Sequence, residues 1–134
     1  MPRRLIAAAL ALLALVSVST ALAQEGPRFE MAVATPDRND TSHTAVFPKG
    51  TKVIYIVWLV DGIQGETTAK CVWWADKAEG VANNTQITVS QSKVAGRSMG
   101  AFKYTLQNGW PAGDYHVELS AASAKKTVRF KVEK

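Results

Sequence analysis

The chain has 134 residues, 47% of them hydrophobic and 20% charged, with 16 basic against 11 acidic side chains and one cysteine. A domain commonly takes about 100–200 residues, so this length excludes a multidomain enzyme, and the apolar content excludes a disordered chain. The basic excess is too mild and too dispersed for nucleic-acid binding, which gathers cations on one face.

Residues 1–23 have the layout of an export signal. Arg3-Arg4 precede an apolar run from Leu5 to Val18, broken only by Ser17, and Ala21-Leu22-Ala23 supplies a small-residue cleavage site. That run of 14 residues is short of the roughly 20 that cross a bilayer. The sequence predicts cleavage after Ala23 and delivery of residues 24–134, a domain of 111 residues and net charge +3, to the periplasm or the exterior of a bacterial cell. No cysteine follows the small residues, so a lipid anchor is not expected, and no stable membrane span remains after cleavage.

The rest of the chain reads as short strands between turn residues. Residues 28–34 form a first strand with Phe29, Met31 and Val33 on one face, and residues 35–44 a polar loop. Residues 45–47 add a short edge piece before the Pro48-Lys49-Gly50 turn. Residues 51–60 give the strongest strand. Val53, Tyr55, Val57 and Leu59 share one face and Ile54, Ile56, Trp58 and Val60 the other, the pattern of a strand covered on both sides. Asp61-Gly62-Ile63-Gln64-Gly65 reads as a turn, residues 67–75 as a strand and 76–84 as a loop. Residues 85–90 alternate weakly, and the polar stretch 91–97 carries no clear assignment. Residues 100–107 alternate cleanly through Phe102, Tyr104 and Leu106. After the turn cluster at 108–113, strands at 114–120 and 126–133 close the chain. They point Tyr115, Val117, Leu119, Val128, Phe130 and Val132 inward and His116, Glu118, Arg129 and Lys131 outward. The expected fold is all-β, an antiparallel sandwich of seven or eight strands.

Two segments resemble bacterial immunoglobulin-like or fibronectin type III-like domains. One is Phe47-Pro-Lys-Gly-Thr-Lys-Val-Ile-Tyr-Ile-Val-Trp, a turn feeding a long strand. The other is Gly109-Trp-Pro-Ala-Gly-Asp-Tyr-His-Val-Glu-Leu followed by Thr127-Val-Arg-Phe-Lys-Val. The resemblance implies an Ig-like β-sandwich, with Tyr115 as a structural corner tyrosine whose hydroxyl bonds back to the upstream backbone, and with Trp73 or Trp74 as core tryptophan. The disulfide of antibody domains is absent, and the fold alone implies no function.

The chemistry-bearing residues point away from catalysis. Gly-x-Ser-x-Gly, His-Glu-x-x-His, Cys-x-x-Cys and a phosphate loop are all missing. His43 and His116 are scattered, and Asp37-Arg38-Asn39-Asp40 lacks the spacing of a calcium loop, so neither a metal nor another cofactor is expected. Cys71, inside a strand, reads as a small buried hydrophobe, with an intermolecular disulfide as the alternative. Four tryptophans are a surplus for such a domain. Trp58, Trp73, Trp74 and Trp110 are therefore candidate binding residues. The basic C-terminal strand adds Lys126, Arg129 and Lys131 as candidates for an anionic ligand. An apolar strip through Ile54, Ile56, Trp58, Val72 and Trp74 is the expected docking face.

The expected function is a non-catalytic binding module that recognises an envelope protein. The alternative is recognition of a polysaccharide or another anionic polymer, and a small hydrolase is a distant third. A homodimer is left open.

Overall fold

A computed structural model describes residues 26–134, and the expected export signal lies outside the described residues. β-branched and aromatic residues in alternation build six strands: β1 (Arg28–Thr35), β2 (Val46–Phe47), β3 (Val53–Ala78), β4 (Thr85–Thr105), β5 (Gly113–Ala121) and β6 (Ala124–Val132). They join in one curled sheet of order β1-β3-β5-β6-β2, with β4 beside β3. β2 runs parallel to β6 and every other pairing is antiparallel, so the sheet is mixed. The all-β expectation holds at this level. The strands number six instead of seven or eight, and they are not uniformly antiparallel.

The difference in count has a local cause. The glycines at 62 and 65 read as a chain reversal, yet β3 runs on through them as one strand of 26 residues. Gly62 and Gly65 take φ of +80° and +67°, and the register with β4 slips between Val60 and Ile63 and again between Ile63 and Glu66. Left-handed residues inside an antiparallel pair make bulges, which bend both strands without ending them. β4 bends at the same level, where Gly96 (φ +57°) faces Ile63. The unassigned stretch 91–97 is thereby part of a strand of 21 residues.

The bend creates two leaves. Residues 55–60 of β3 lie between β1 and residues 98–103 of β4, while residues 70–75 lie between residues 85–91 of β4 and β5. Both leaves turn apolar rows to one shared core: Ile54, Ile56, Trp58 and Val60 from the first, and Ala69, Cys71, Trp73, Val117, Leu119 and Phe130 among those from the second. Full burial of a side chain of this size contributes about 1.5–3 kcal/mol.

An aromatic cluster closes one end of that core. Trp110 packs on Tyr115 with ring centroids 5.0 Å apart, on Phe130 at 5.8 Å and on Trp73 at 6.0 Å. Its indole Nε1 donates to the Lys52 carbonyl at 3.1 Å, so the ring also ties the turn before β5 to the start of β3. The Tyr115 hydroxyl donates to the Pro111 carbonyl, four residues upstream. Burial pushes the Tyr115 phenol up to about 12.

Candidate functional site

Three of the four candidate tryptophans offer no face to a ligand. Trp58, Trp73 and Trp110 are 2%, 0% and 3% exposed, all within the core cluster. Trp73 donates to Ser90 Oγ at 3.1 Å across the β3–β4 pair. Ile54, Ile56 and Trp58 of the expected strip are therefore the core row of the first leaf, while its other members, Val72 and Trp74, are half-buried and outside the core cluster.

The outward row of the same strand is the one that faces away from the core. Val57 is 1% exposed yet lies outside the core cluster. Its cross-strand neighbours are Val33 and Ala101, and Leu59 one row on is flanked by Met31 and Met99. Tyr55, Leu59, Met31 and Val33 are half-buried and Met99 is 60% exposed. The outer face of the first leaf is thus an apolar layer of its own, dense enough to close over Val57. Phe29 does not share it. A bulge between Phe29 and Met31 places Phe29 opposite the core residue Val60 and turns Met31 and Val33 outward. A plain two-residue period puts all three on one face, and the bulge is what separates them. Met31 and Met99 are two of the three methionines in the chain, and methionine's flexible, polarisable side chain suits adaptable contact surfaces.

One end of this face carries an ionic network. Arg97 Nη1 reaches Glu30 at 2.6 Å and Asp61 at 3.3 Å, and Arg28 Nη2 reaches the same two carboxylates at 3.1 and 3.4 Å. The Gly62 backbone N–H, with Arg28 and Arg97 beside it, holds the Asp61 carboxyl below its ordinary value. The bond to Glu30 holds the Arg97 guanidinium up. These groups are solvent-screened, so the network stabilises only modestly. Its geometry joins β1, β3 and β4 at the bend and ends the apolar layer there.

The second leaf presents a different outer face. Trp74, His116 and Arg129 stand in one cross-strand row. Trp74 stacks on the His116 ring at 6.2 Å with 8° between planes. His116 Nδ1 lies 2.6 Å from Asp76 and Nε2 lies 3.3 Å from Glu118. Trp74 is half-buried, and its Nε1 is enclosed without a partner among the described residues. The basic strand is largely neutralised. Arg129 pairs with Asp76 at 3.9 Å, Lys131 with Asp114 at 3.5 Å, and Lys134 with Glu79 at 3.7 Å. Lys126 sits opposite the core residue Leu119, on the other parity from Arg129 and Lys131. The three basic candidates do not converge on one site.

The remaining candidates have structural places. His43 Nδ1 accepts from the Ala34 N–H at 3.1 Å and pins the loop after β1. No group of three or more His, Cys, Asp or Glu among the described residues is arranged to hold a metal. Cys71 is 0% exposed, and burial pushes its thiol up, away from thiolate chemistry. That placement removes the intermolecular disulfide as an option for the folded chain. No helix among the described residues is long and apolar enough to cross a membrane.

No protein-family model matches the chain, and no curated protein matches it. Solved structures share its path. The alkylpurine DNA glycosylase of Pseudomonas fluorescens superposes at TM-score 0.50 with 10% identity, over 83% of this chain and 31% of that one. A β-glucosidase from Listeria innocua superposes at 0.52 with 7% identity, over 81% and 16%. A β-glucosidase from Erythrobacter marinus does so at 0.52 with 8% identity, over 80% and 15%. The chain therefore spans less than a third of each of these three proteins. At such identities the likeness concerns the fold alone.

Proposed function

We propose that this chain is an exported, non-catalytic binding module of the Ig-like sandwich type, docking an envelope protein through the outer face of its first leaf. The observation that carries the reading is Val57, which points away from the core and is still 1% exposed. A second apolar layer, ending in an exposed Met99 and bounded by charge, is the composition of an interface centre with a polar rim.

The strand pairing supports the sandwich reading. Divided at the bend, one leaf holds β1 and the adjoining halves of β3 and β4. The other holds the remaining halves with β5, β6 and β2. Two apolar rows over one core and a tyrosine bonded to upstream backbone support this reading.

The test is a cross-linking pull-down from the native cell envelope, with wild type against Met99→Glu. The reading expects a reproducible protein partner that the substitution loses. Equal capture by both, or no partner for folded bait, contradicts it.

Glycan recognition is the second reading. It rests on Trp74, the one half-buried tryptophan, set among Gln86, His116 and Asp76. It expects a tryptophan fluorescence change on titration with cell-wall polysaccharide, abolished in Trp74→Phe.

A further inference from the structure

An exposed sheet edge is a row of unpaired backbone donors and acceptors, and folded proteins guard such rows with charge, proline, bulges or brevity. Four stretches of edge are open among the described residues: β1, β2, β4, and β6 ahead of its pairing with β2, where Lys125, Lys126 and Arg129 supply charge. β1 carries Arg28 and Glu30, with a bulge between Phe29 and Met31. β2 has two residues and runs into Pro48. The second half of β4 carries Arg97 and Lys103 beyond the left-handed Gly96. The segment Thr88-Val89-Ser90-Gln91-Ser92 has none of these devices. It holds no charge, proline or glycine, and its register with β3 is unbroken from Trp73↔Thr88 through Ala69↔Ser92. It also carries Val89, at 37% one of the exposed large hydrophobics.

We propose that this edge joins a second copy of the chain, β4 adding antiparallel to β4 about a two-fold axis near Gln91. The self-pairing is chemically consistent. Gln91 faces Gln91 of the second copy, Ser90 faces Ser92, and Val89 faces the aliphatic stem of Lys93. Amide and hydroxyl side chains bond to their own kind, and no like charges become opposed. Lys93 brings its own counter-charge, since its ammonium lies 3.3 Å from Glu66 within the same copy. A two-fold contact is self-complementary by construction, which suits a neutral segment better than a charged partner would. The pairing leaves the apolar face of the first leaf free, so the dimer would present two docking faces. A ladder this short gives a weak dimer that depends on concentration.

Sedimentation of the signal-free chain over a wide concentration range tests this, with a charge swap at Gln91. Gln91 is exposed, so both substitutions leave the core untouched. Wild type is expected to rise from monomer toward dimer. Gln91→Lys and Gln91→Glu alone each set like charges at the axis and weaken association at least about tenfold. Their equimolar mixture restores it. A wild type that stays monomeric at every concentration overturns the proposal. So does a dimer indifferent to both substitutions, or a mixture that fails to recover. A monomer that instead pairs an added extended peptide assigns the edge to a heterologous strand and overturns it too. The readout needs no envelope partner, so its failure is distinct from failure of the docking reading.

Discussion

Gly100 lies directly opposite Trp58 across the β3–β4 pair, and a Cβ at Gly100 would stand 2.6 Å from the indole Cζ2. The missing side chain is what lets the indole lie flat over β4 and seal the core of the first leaf. It thereby sends the alternate row, with Val57 and Leu59, to the outside. Gly100→Ala is expected to overpack this contact and cost about 1–3 kcal/mol. Urea unfolding followed by tryptophan fluorescence measures it, and an unchanged midpoint would mean that Trp58 moves freely.

Tyr115→Phe removes the donor to the Pro111 carbonyl and is expected to cost about 0.5–1.5 kcal/mol, more if the carbonyl is left dry. The same phenol sets an alkaline limit. Its folded value is raised to about 12 from 10.0, so the unfolded chain loses the proton first. Stability should fall as pH rises through that window, and the phenylalanine variant should lack this component.

Asp61 sets a limit on the acid side. Its carboxyl is held below the ordinary 3.8 in the folded chain. The stability it contributes is present above that value and is lost as pH falls through the folded value. Asp61→Asn should therefore flatten the acid limb of a stability-against-pH curve. High salt should shrink the difference, because the network is exposed.

Cys71 should not react with alkylating reagents in the folded chain and should react fully in denaturant, as expected of a buried thiol with a raised pKa. Mass spectrometry after iodoacetamide reads both states. Native alkylation at a rate near that of a free thiol would show that the second leaf opens.

Much of the fold is legible in local alternation. Phe102, Tyr104, Tyr115, Val117, Val128 and Phe130 declare their inward face because their neighbours are polar. Two features were not legible. Gly62 and Gly65 look like a reversal and the stretch around Gly96 carries no clear signal, and only the register shows that both strands bend together. Residues 53–60 are apolar on both faces, so alternation cannot choose between them. The choice is made far along the chain by Gly100 opposite Trp58. A bulge at Glu30, invisible to a two-residue period, then adds Met31 and Val33 to the outer face. The tryptophan count pointed to binding, but burial assigns three of the four to packing. The outer apolar row is marked in the sequence by Met31 and Met99, which the fold places on either side of Leu59.

Those two methionines also report on the proposed docking face directly. With methyl-labelled methionine, the spectrum of the signal-free chain should show two resonances from Met31 and Met99. On adding the captured envelope partner, the account predicts that both shift or broaden while the Trp74 indole N–H stays in place. Unmoved methionine methyls with a shifted Trp74 resonance would contradict it and place recognition on the second leaf.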